Sequence, residues 1–405
     1  MLKLWTTLLT SPSFLATNNN DHSAPSLISS STMMQITSLS RYAIKGLSGD
    51  NLQSVHIGEA MDTFPDDRRY ALLKQSSSRE FNVHDPKCWV HKEHFLCAFT
   101  APKLMASYQS EYQIINASSN SSWGFPCDSF GDHNTSASEC DQDGGANSTG
   151  STTTTLTQRI LTLYQRPKKD YPTPVLGPIH LETSQGREEL ASFFSMKSNQ
   201  ALTCVTHQPQ QQQGDENDSS SISLKQQPQQ NRHQFGNTRS GIKYAKDTRT
   251  IHIINAATVR QFSNAIGIPL DPMRFRPNII VDGWEPWKEF DCIGKILTCR
   301  PHGRGTSAPT ASDVHTTGED NKGGINVTNT NTLETKTVEL KIISRTVRCA
   351  GVGVDPLDPP DQNVVLDIPK LLNQHFPQHG PYLGVYAVIR TPGELCVGDV
   401  LTVVE

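Results

Sequence analysis

Val338-Glu339-Leu340-Lys341-Ile342-Ile343-Ser344-Arg345-Thr346-Val347-Arg348-Cys349-Ala350-Gly351-Val352-Gly353-Val354-Asp355-Pro356 is the stretch on which the reading of this 405-residue chain depends. Val338 to Ile343 has the composition of a short strand. The strand runs into a single cysteine that follows two arginines, and a short apolar run closed by Asp-Pro comes next. Cationic neighbours lower a thiol's pKa, and the thiolate is the form that acts as nucleophile or metal ligand. Thiolate sulfur suits soft or high-valent metal centres, while guanidinium forks suit phosphate. The segment therefore reads as a strand ending in a one-cysteine site for an anionic, metal-bearing ligand. The competing reading is a plain core cysteine, because free cysteine is among the most buried residue types. On these residues alone both readings stand.

Outward from this strand the ordered blocks are mostly strands. Ile36–Ile44, Tyr70–Leu73, Phe95–Thr100, Thr250–Ile254, Asn278–Asp282, Gly384–Ile389 and Val400–Val404 are short, bounded by turn formers and mostly rich in β-branched or aromatic residues. Helical patterns are fewer. Ala256–Ile266 follows an Asn255 cap and carries Val259, Phe262 and Ile266 at helical spacing, and Pro369–Phe376 has proline at a first helical position. Many short strands with few helices predict a β-rich α+β chain built on a closed or partly closed β-barrel with peripheral helices.

Three low-complexity segments interrupt these blocks, at about 115–155, 207–240 and 301–335. Such Asn/Ser/Thr/Gln-rich compositions bury too little apolar surface to offset chain entropy, so each reads as an insertion at a loop tip. They divide the chain into a tail at 1–35, a first region at 36–206, a linker at 207–240 and a second region at 241–405. The tail is Ser/Thr-rich, and Lys3 is its only Lys or Arg. That composition leaves an organellar transit peptide, a signal peptide and a disordered tail open, and with them a mitochondrial, other organellar or cytoplasmic location.

Bulk charge and cysteine usage narrow the function. A net charge of −4 leaves no basic excess for a long phosphate footprint, which argues against a nucleic-acid binder. The basic residues around Arg274, Arg276, Arg345 and Arg348 fit a small anionic ligand better. Nine cysteines without a CxxC pair argue against a disulfide framework or zinc ribbon. Asn-X-Ser/Thr matches fall in the low-complexity tracts, where composition produces them. No stretch approaches the roughly 20 apolar residues of a transmembrane helix.

Four shorter constellations remain. Cys88, His91, His94 and Cys97 recur every third residue, a spacing that converges poorly on one metal from either a helix or a strand. Arg274 and Arg276 alternate before an apolar strand containing Asn278, so an extended backbone would send both to one side to clamp a phosphate or carboxylate. Solvated arginines are the alternative. Lys45 precedes Gly46 at a strand end, where a permissive backbone suits an anion cradle. Asp66-Asp67-Arg68-Arg69 has the pattern of a surface charge run.

In chain order these pieces resemble the MOSC family (molybdenum cofactor sulfurase C-terminal domain), including its N-terminal β-barrel region. The resemblance runs through Tyr42-Ala43-Ile44-Lys45-Gly46-Leu47-Ser48-Gly49, Asp67-Arg68-Arg69-Tyr70-Ala71-Leu72 and Trp89-Val90-His91-Lys92. It continues in Asp271-Pro272-Met273-Arg274-Phe275-Arg276-Pro277-Asn278, in Thr346-Val347-Arg348-Cys349 with Val354-Asp355-Pro356, and in Leu383-Gly384-Val385-Tyr386 and Pro392–Asp399. The resemblance implies a molybdenum cofactor (molybdopterin) with Cys349 as thiolate ligand to molybdenum. Lys45, Arg68, Arg274, Arg276 and Asn278 would hold the pterin and its phosphate, and Arg348 and Asp355 would shape the cysteine loop. It also implies an oxidoreductase acting on N-hydroxylated or related small molecules. Since no flavin, haem or iron–sulfur motif is visible, separate proteins would donate electrons. The alternative is a sulfur- or cofactor-carrier module holding a persulfide on Cys349. Pyridoxal phosphate is associated with the wider family through desulfurase-like partners, but this chain shows no pyridoxal-lysine domain. Two positions depart from the amidoxime-reducing members: Gly46 stands where they carry Ser, and Ala350-Gly351-Val352-Gly353 lacks their threonines.

Overall fold

A computed structural model describes residues 34–82, 87–117, 156–167, 172–206, 234–300, 337–356 and 364–404. The N-terminal tail and the bulk of the three low-complexity segments lie outside these residues. In chain order the strands of the first half are β1 (Met34–Arg41), β2 (Asp50–Leu52), β3 (Ser54–Ile57), β4 (Tyr70–Lys74), β5 (Phe95–Leu96), β6 (Tyr108–Ala117), β7 (Leu156–Gln165), β8 (Leu176–His180) and β9 (Leu202–Thr206). The second half supplies β10 (Ile251–Asn255), β11 (Ile279–Asp282), β12 (Ile296–Arg300), β13 (Val338–Val347), β14 (Tyr382–Thr391), β15 (Gly393–Cys396) and β16 (Val400–Val404). The helices are α1 (Pro102–Ala106), α2 (Ser184–Ser198), α3 (Arg239–Tyr244), α4 (Ala256–Ile266) and α5 (Ile368–His375).

The order β11-β10-β14-β13-β12-β16-β1, with β1 pairing back onto β11, closes a seven-stranded barrel. β13, the strand that leads to Cys349, buries Val338, Leu340 and Ile342 and leaves Glu339 and Lys341 half-exposed. That alternation seats it against the barrel core between β12 and β14. β10 and β11 run parallel, so a crossover must join them, and α4 is that crossover. Its start is capped by the Asn255 side chain accepting from the Ala257 N–H at 3.1 Å, and it ends at Gly267, whose φ is +67°. Val259 and Phe262 turn its apolar face into the core beside Ile251, Ile253 and Leu340.

The barrel takes its closing strand from the far end of the chain. β1 pairs Leu39 with Ile279 of β11 and Met34 with Leu401 of β16, although most barrel strands lie beyond residue 250. Of the rest of the first half, β2 pairs with β1 and β3 with β15, and the other six strands form two three-stranded sheets, β5-β4-β9 and β6-β7-β8. They share a second core in which Phe193 and Phe194 of α2 pack edge-on against Tyr108. β6 and β7 form a hairpin in register from Tyr108↔Gln165 to Ala117↔Leu156. Ile115, where low complexity sets in by composition, therefore lies inside β6. Residues 234–240 also carry structure, since Phe235 and Asn237 are buried and α3 begins at Arg239. Phe95–Thr100, expected as one strand, is β5 for two residues and then turns, with Thr100 N–H and Ala101 N–H both donating to Cys97 O. No helix among the described residues is long and apolar enough to cross a membrane.

Candidate functional site

The Cys349 loop leaves the barrel at the end of β13. Arg348 N–H donates to Pro381 O at 2.8 Å, and Cys349 keeps an extended backbone before the tight turn Ala350–Val352. A cavity of about 250 Å3 opens beside this turn, and Cys349, Lys45, Arg68, Arg276, Asn278 and Arg348 all line it. Six of the eight residues singled out by sequence thus meet at one place. Arg274 and Asp355 do not line it. They form a buried ion pair at 2.8 Å behind the loop, and Arg274 also donates to Gly353 O at 2.9 Å.

The alternation expected for Arg274 and Arg276 fails because the backbone there is not extended. Pro272–Phe275 is one tight 3-10 turn, and Arg276 follows in the left-handed region at φ +54°. Arg274 is thereby sent to the loop and Arg276 to the cavity wall, where its guanidinium lies 4.4 Å from the Tyr42 ring and donates to Gly46 O at 3.2 Å. Arg68 is also left-handed, at φ +52°, with its guanidinium 5.2 Å from the same ring. Tyr42 therefore carries two cations by cation–π contact. Backbone strain at two residues lining one cavity is typical of a functional site.

Lys45 arrives through main-chain pairing. Lys45 N–H donates to Tyr70 O at 2.8 Å and Arg68 N–H to Tyr42 O at 2.7 Å, which sets the two cations on neighbouring segments. Gly46, at φ +103°, follows. A Cβ there would stand 2.7 Å from Cys97 Cα, so the departure from serine at this position has a steric reason. Lys45 Nζ donates to Phe235 O at 2.9 Å. Asn278 spends its amide inside the barrel, donating to Ser40 O at 3.2 Å and accepting from His252 N–H at 3.1 Å. It fixes the junction of β1, β10 and β11 at the cavity floor.

Burial dominates the electrostatics. It pushes Lys45 down to about 8 and Arg276 down to about 10, each with further repulsion from nearby cations. It pushes Arg348 down as well. Burial also acts against Arg68, but the adjoining Asp67 carboxylate outweighs it and holds Arg68 above its ordinary value. Asp67 is the carboxylate that contacts this cluster, forming an ion pair with Arg68. Four cationic side chains thus share one cavity, and among the described residues Asp67 is the carboxylate shown paired with one of them.

Four contributors are not evident from sequence patterning. His252 on β10 is 4% exposed and lines the cavity. Its Nδ1 lies 3.3 Å from Arg276 O and its Nε2 3.2 Å from an Arg348 amino group. Arginine can only donate, so Nε2 accepts and the proton sits on Nδ1. Burial, then Arg348, holds the His252 pKa well below the ordinary histidine value, so the ring stays neutral and locks two arginines in register. Tyr386 on β14 packs 5.5 Å from the His252 ring, and burial raises its phenol pKa. Thr346 lines the same cavity with a buried hydroxyl that has no hydrogen-bond partner among the described residues, as does Arg348 Nε. Phe235, Gly236, Asn237 and Thr238 form the opposite wall. His252 sits in an apolar strand, and Phe235–Thr238 follow a low-complexity run. The single available signal for Thr346 is its place three residues before Cys349.

The Cys88–Cys97 constellation disperses. His91 Nδ1 accepts from Glu93 N–H at 3.4 Å, His94 Nδ1 lies 3.0 Å from Ser77 Oγ, and Cys97 Sγ points to Lys92 O at 3.7 Å. Among the described residues no group of three or more His, Cys, Asp or Glu converges on a metal-sized site.

Comparison with known proteins bears on the second half of the chain. Residues 230–306 match the family model described as the MOSC domain. That span includes His252, Arg274, Arg276 and Asn278 and ends before Cys349. No curated protein matches the chain. Among solved structures, the crystal structure of YiiM from Geobacillus stearothermophilus is similar at 16% identity with a TM-score of 0.22. The match covers 38% of this chain and 54% of that one. The chain therefore spans about half the length of that protein.

Proposed function

We propose, from the MOSC domain that this chain carries, a protein that binds the molybdenum cofactor through Cys349 and reduces N-hydroxylated or related small molecules. The domain by itself supports a molybdenum-cofactor-related role. The observation that carries the finer reading is the meeting of Lys45, Arg68, Arg276 and Arg348 with one thiol around a single cavity of about 250 Å3.

The donor set fits such a group. Buried charges are costly unless paired, and among the described residues these cations are shown with Asp67, the neutral His252 ring, backbone carbonyls and aromatic rings as partners. A phosphate or other oxyanion answers that deficit, and forked guanidiniums are suited to it. The unpartnered Thr346 hydroxyl and Arg348 Nε add neutral and charged donors at the same wall. Cys349 supplies the one soft ligand. When bound, the cofactor supplies two-electron redox chemistry at its metal.

The chain's own residues do the rest. Lys45, Arg68 and Arg276 bind the anionic end of the ligand. His252 holds Arg348 and the Arg276 carbonyl in place, and the Arg274–Asp355 pair fixes the loop that carries Cys349. Phe235, Phe275 and Val352 give the cavity apolar wall surface, and a less polar surround strengthens charged contacts. Elemental analysis tests this reading: purified full-length protein should hold stoichiometric molybdenum, and Cys349→Ala should lose it. Full retention in the alanine variant would remove Cys349 as ligand.

A carrier function rests on the half-exposure of Cys349, which leaves its sulfur open to a donor protein. A persulfide trapped on Cys349 in molybdenum-free protein, without turnover of N-hydroxylated compounds, would favour it.

A further inference from the structure

Beside the Cys349 cavity lies a charged surface that the site itself does not use. Of the residues lining the cavity, Val347 is 59% exposed and Thr238 and Cys349 are half-buried. The end of β13 and the start of α3 therefore both reach solvent at its mouth. Thr238 caps α3, its Oγ1 accepting from Gly241 N–H at 3.1 Å. Gly241 is the inward residue: a Cβ there would stand 2.5 Å from Thr248 O, so the helix lies flat on the chain leading into β10. Positions two residues away on a helix point the opposite way, which sends Arg239 and Lys243 outward.

Arg239, Lys243, Tyr244, Lys246 and Asp247 are all exposed, so three cations stand against one acid along this short stretch. Lys341 of β13 adds a half-exposed cation 5.8 Å from the Tyr244 ring. Glu339 on the same strand accepts from Thr391 Oγ1 at 2.9 Å. In a chain of net charge −4 this is a local basic surface. Each exposed cation is worth little alone, so a small anion gains little here. A partner that meets several at once with carboxylates gains them together, and such a field also steers encounter. Tyr244 and Val347 add aromatic and apolar surface of the kind found at the centre of protein interfaces. The six-residue helix is about 9 Å long, so a partner covering the usual ~800 Å2 a side spans helix and mouth together. Both readings of Cys349 also call for one, since electrons or sulfur must reach this mouth from another protein.

We infer that α3, Lys246 and Val347 form the docking surface of an acidic protein that seats over the mouth of the Cys349 cavity. What that protein delivers rests on the function proposed above, and the docking itself does not.

Alkylation of Cys349 by iodoacetamide tests the inference, in full-length protein grown without molybdate and followed by mass spectrometry of the Cys349 peptide. Poly-L-glutamate should slow the reaction about fivefold or more, the combined effect of several surface pairs, and poly-L-lysine should not. About 1 M sodium chloride, which shortens the screening length to about 3 Å, should cancel the protection. Combined Arg239→Glu, Lys243→Glu and Lys246→Glu should cancel it too, read as the ratio of rates with and without poly-L-glutamate. The matching triple glutamine variant, which adds no acid to the helix, should lose most of the protection and guards against misfolding of the reversal. An unprotected wild type would overturn the inference. Full protection in the folded glutamine variant would also overturn it, since the polymer would then be held elsewhere. Protection by phosphatidylserine vesicles and not by poly-L-glutamate would assign the surface to a membrane and contradict the acidic protein. Failure of the protein to load molybdenum would defeat the proposed function and leave this result standing.

Discussion

At the scale of single residues, the cavity is a set of cations whose protonation and backbone geometry were chosen together. Lys45, held near 8 by burial, is the member that titrates in an accessible range. The protonated lysine binds an anion, so affinity for inorganic phosphate should fall as pH rises from 7 to 9. Lys45→Arg should flatten that fall, since guanidinium stays charged throughout. A phosphate titration at each pH checks it, and a pH-independent wild type would refute it. Gly46 makes a steric prediction. Gly46→Ser must place a Cβ 2.7 Å from Cys97 Cα at φ +103°, and should cost about 1–3 kcal/mol of stability in denaturant unfolding. Cys349, Lys45, Arg68 and Arg276 were brought together at the sequence level by the family resemblance, while Asp66-Asp67-Arg68-Arg69 by pattern alone reads as a surface charge run, which the burial of Asp67 and Arg69 overturns. His252 was not legible, because nothing local distinguishes a histidine inside Ile251–Asn255 from a core residue. Its role exists only once β10 lies beside Arg276 and Arg348.

At the scale of elements, the cysteine loop and the α4 crossover each depend on one buried acid. Asp355→Ala would leave Arg274 buried without its carboxylate, a change that typically costs about 3–5 kcal/mol. Faster hydrogen exchange at Val352 and Gly353 should report the loosened loop, while amides of β13 keep their protection. Glu289 is 0% exposed and accepts from Asn255 Nδ2 at 3.1 Å and Thr258 Oγ1 at 2.9 Å beside the start of α4. Burial raises its pKa from 4.5 to about 7. A carboxyl raised on folding adds stability below its unfolded pKa and loses it as pH climbs through the folded value. Wild type should therefore lose up to about 3 kcal/mol between pH 5 and 8 from this group. Glu289→Gln should remove that slope in thermal melts. Helices α4 and α5 could be read from caps and periodicity. The clamp expected of Arg274 and Arg276 failed because a proline-led 3-10 turn replaced the extended backbone that alternation requires. Helix α2 escaped notice although Leu190, Phe193 and Phe194 recur at helical spacing, because its other positions are strongly polar.

At the scale of the whole molecule, the barrel is closed by the first described strand, and the cavity takes residues from both halves of the chain. The strand-rich class was legible from many short β-branched blocks, and the barrel's closure by β1 was not, since register between residues 34–41 and 279–282 has no local signature. The third low-complexity segment makes a prediction at this scale. Cys299 pairs with Val338 across β12 and β13, so a short turn can replace residues 301–336. Loop-closure entropy grows slowly with length, at about 0.6 kcal/mol per doubling, so this deletion should leave stability within about 2 kcal/mol of wild type. Loss of cooperative unfolding would contradict the barrel register. The central claim is that Cys349 binds molybdenum in the cavity its neighbours make cationic. X-ray absorption at the molybdenum edge, on wild type and Cys349→Ser, addresses it most directly. The account predicts one sulfur ligand fewer in the serine variant, and an unchanged sulfur count in metal-loaded Cys349→Ser would contradict it.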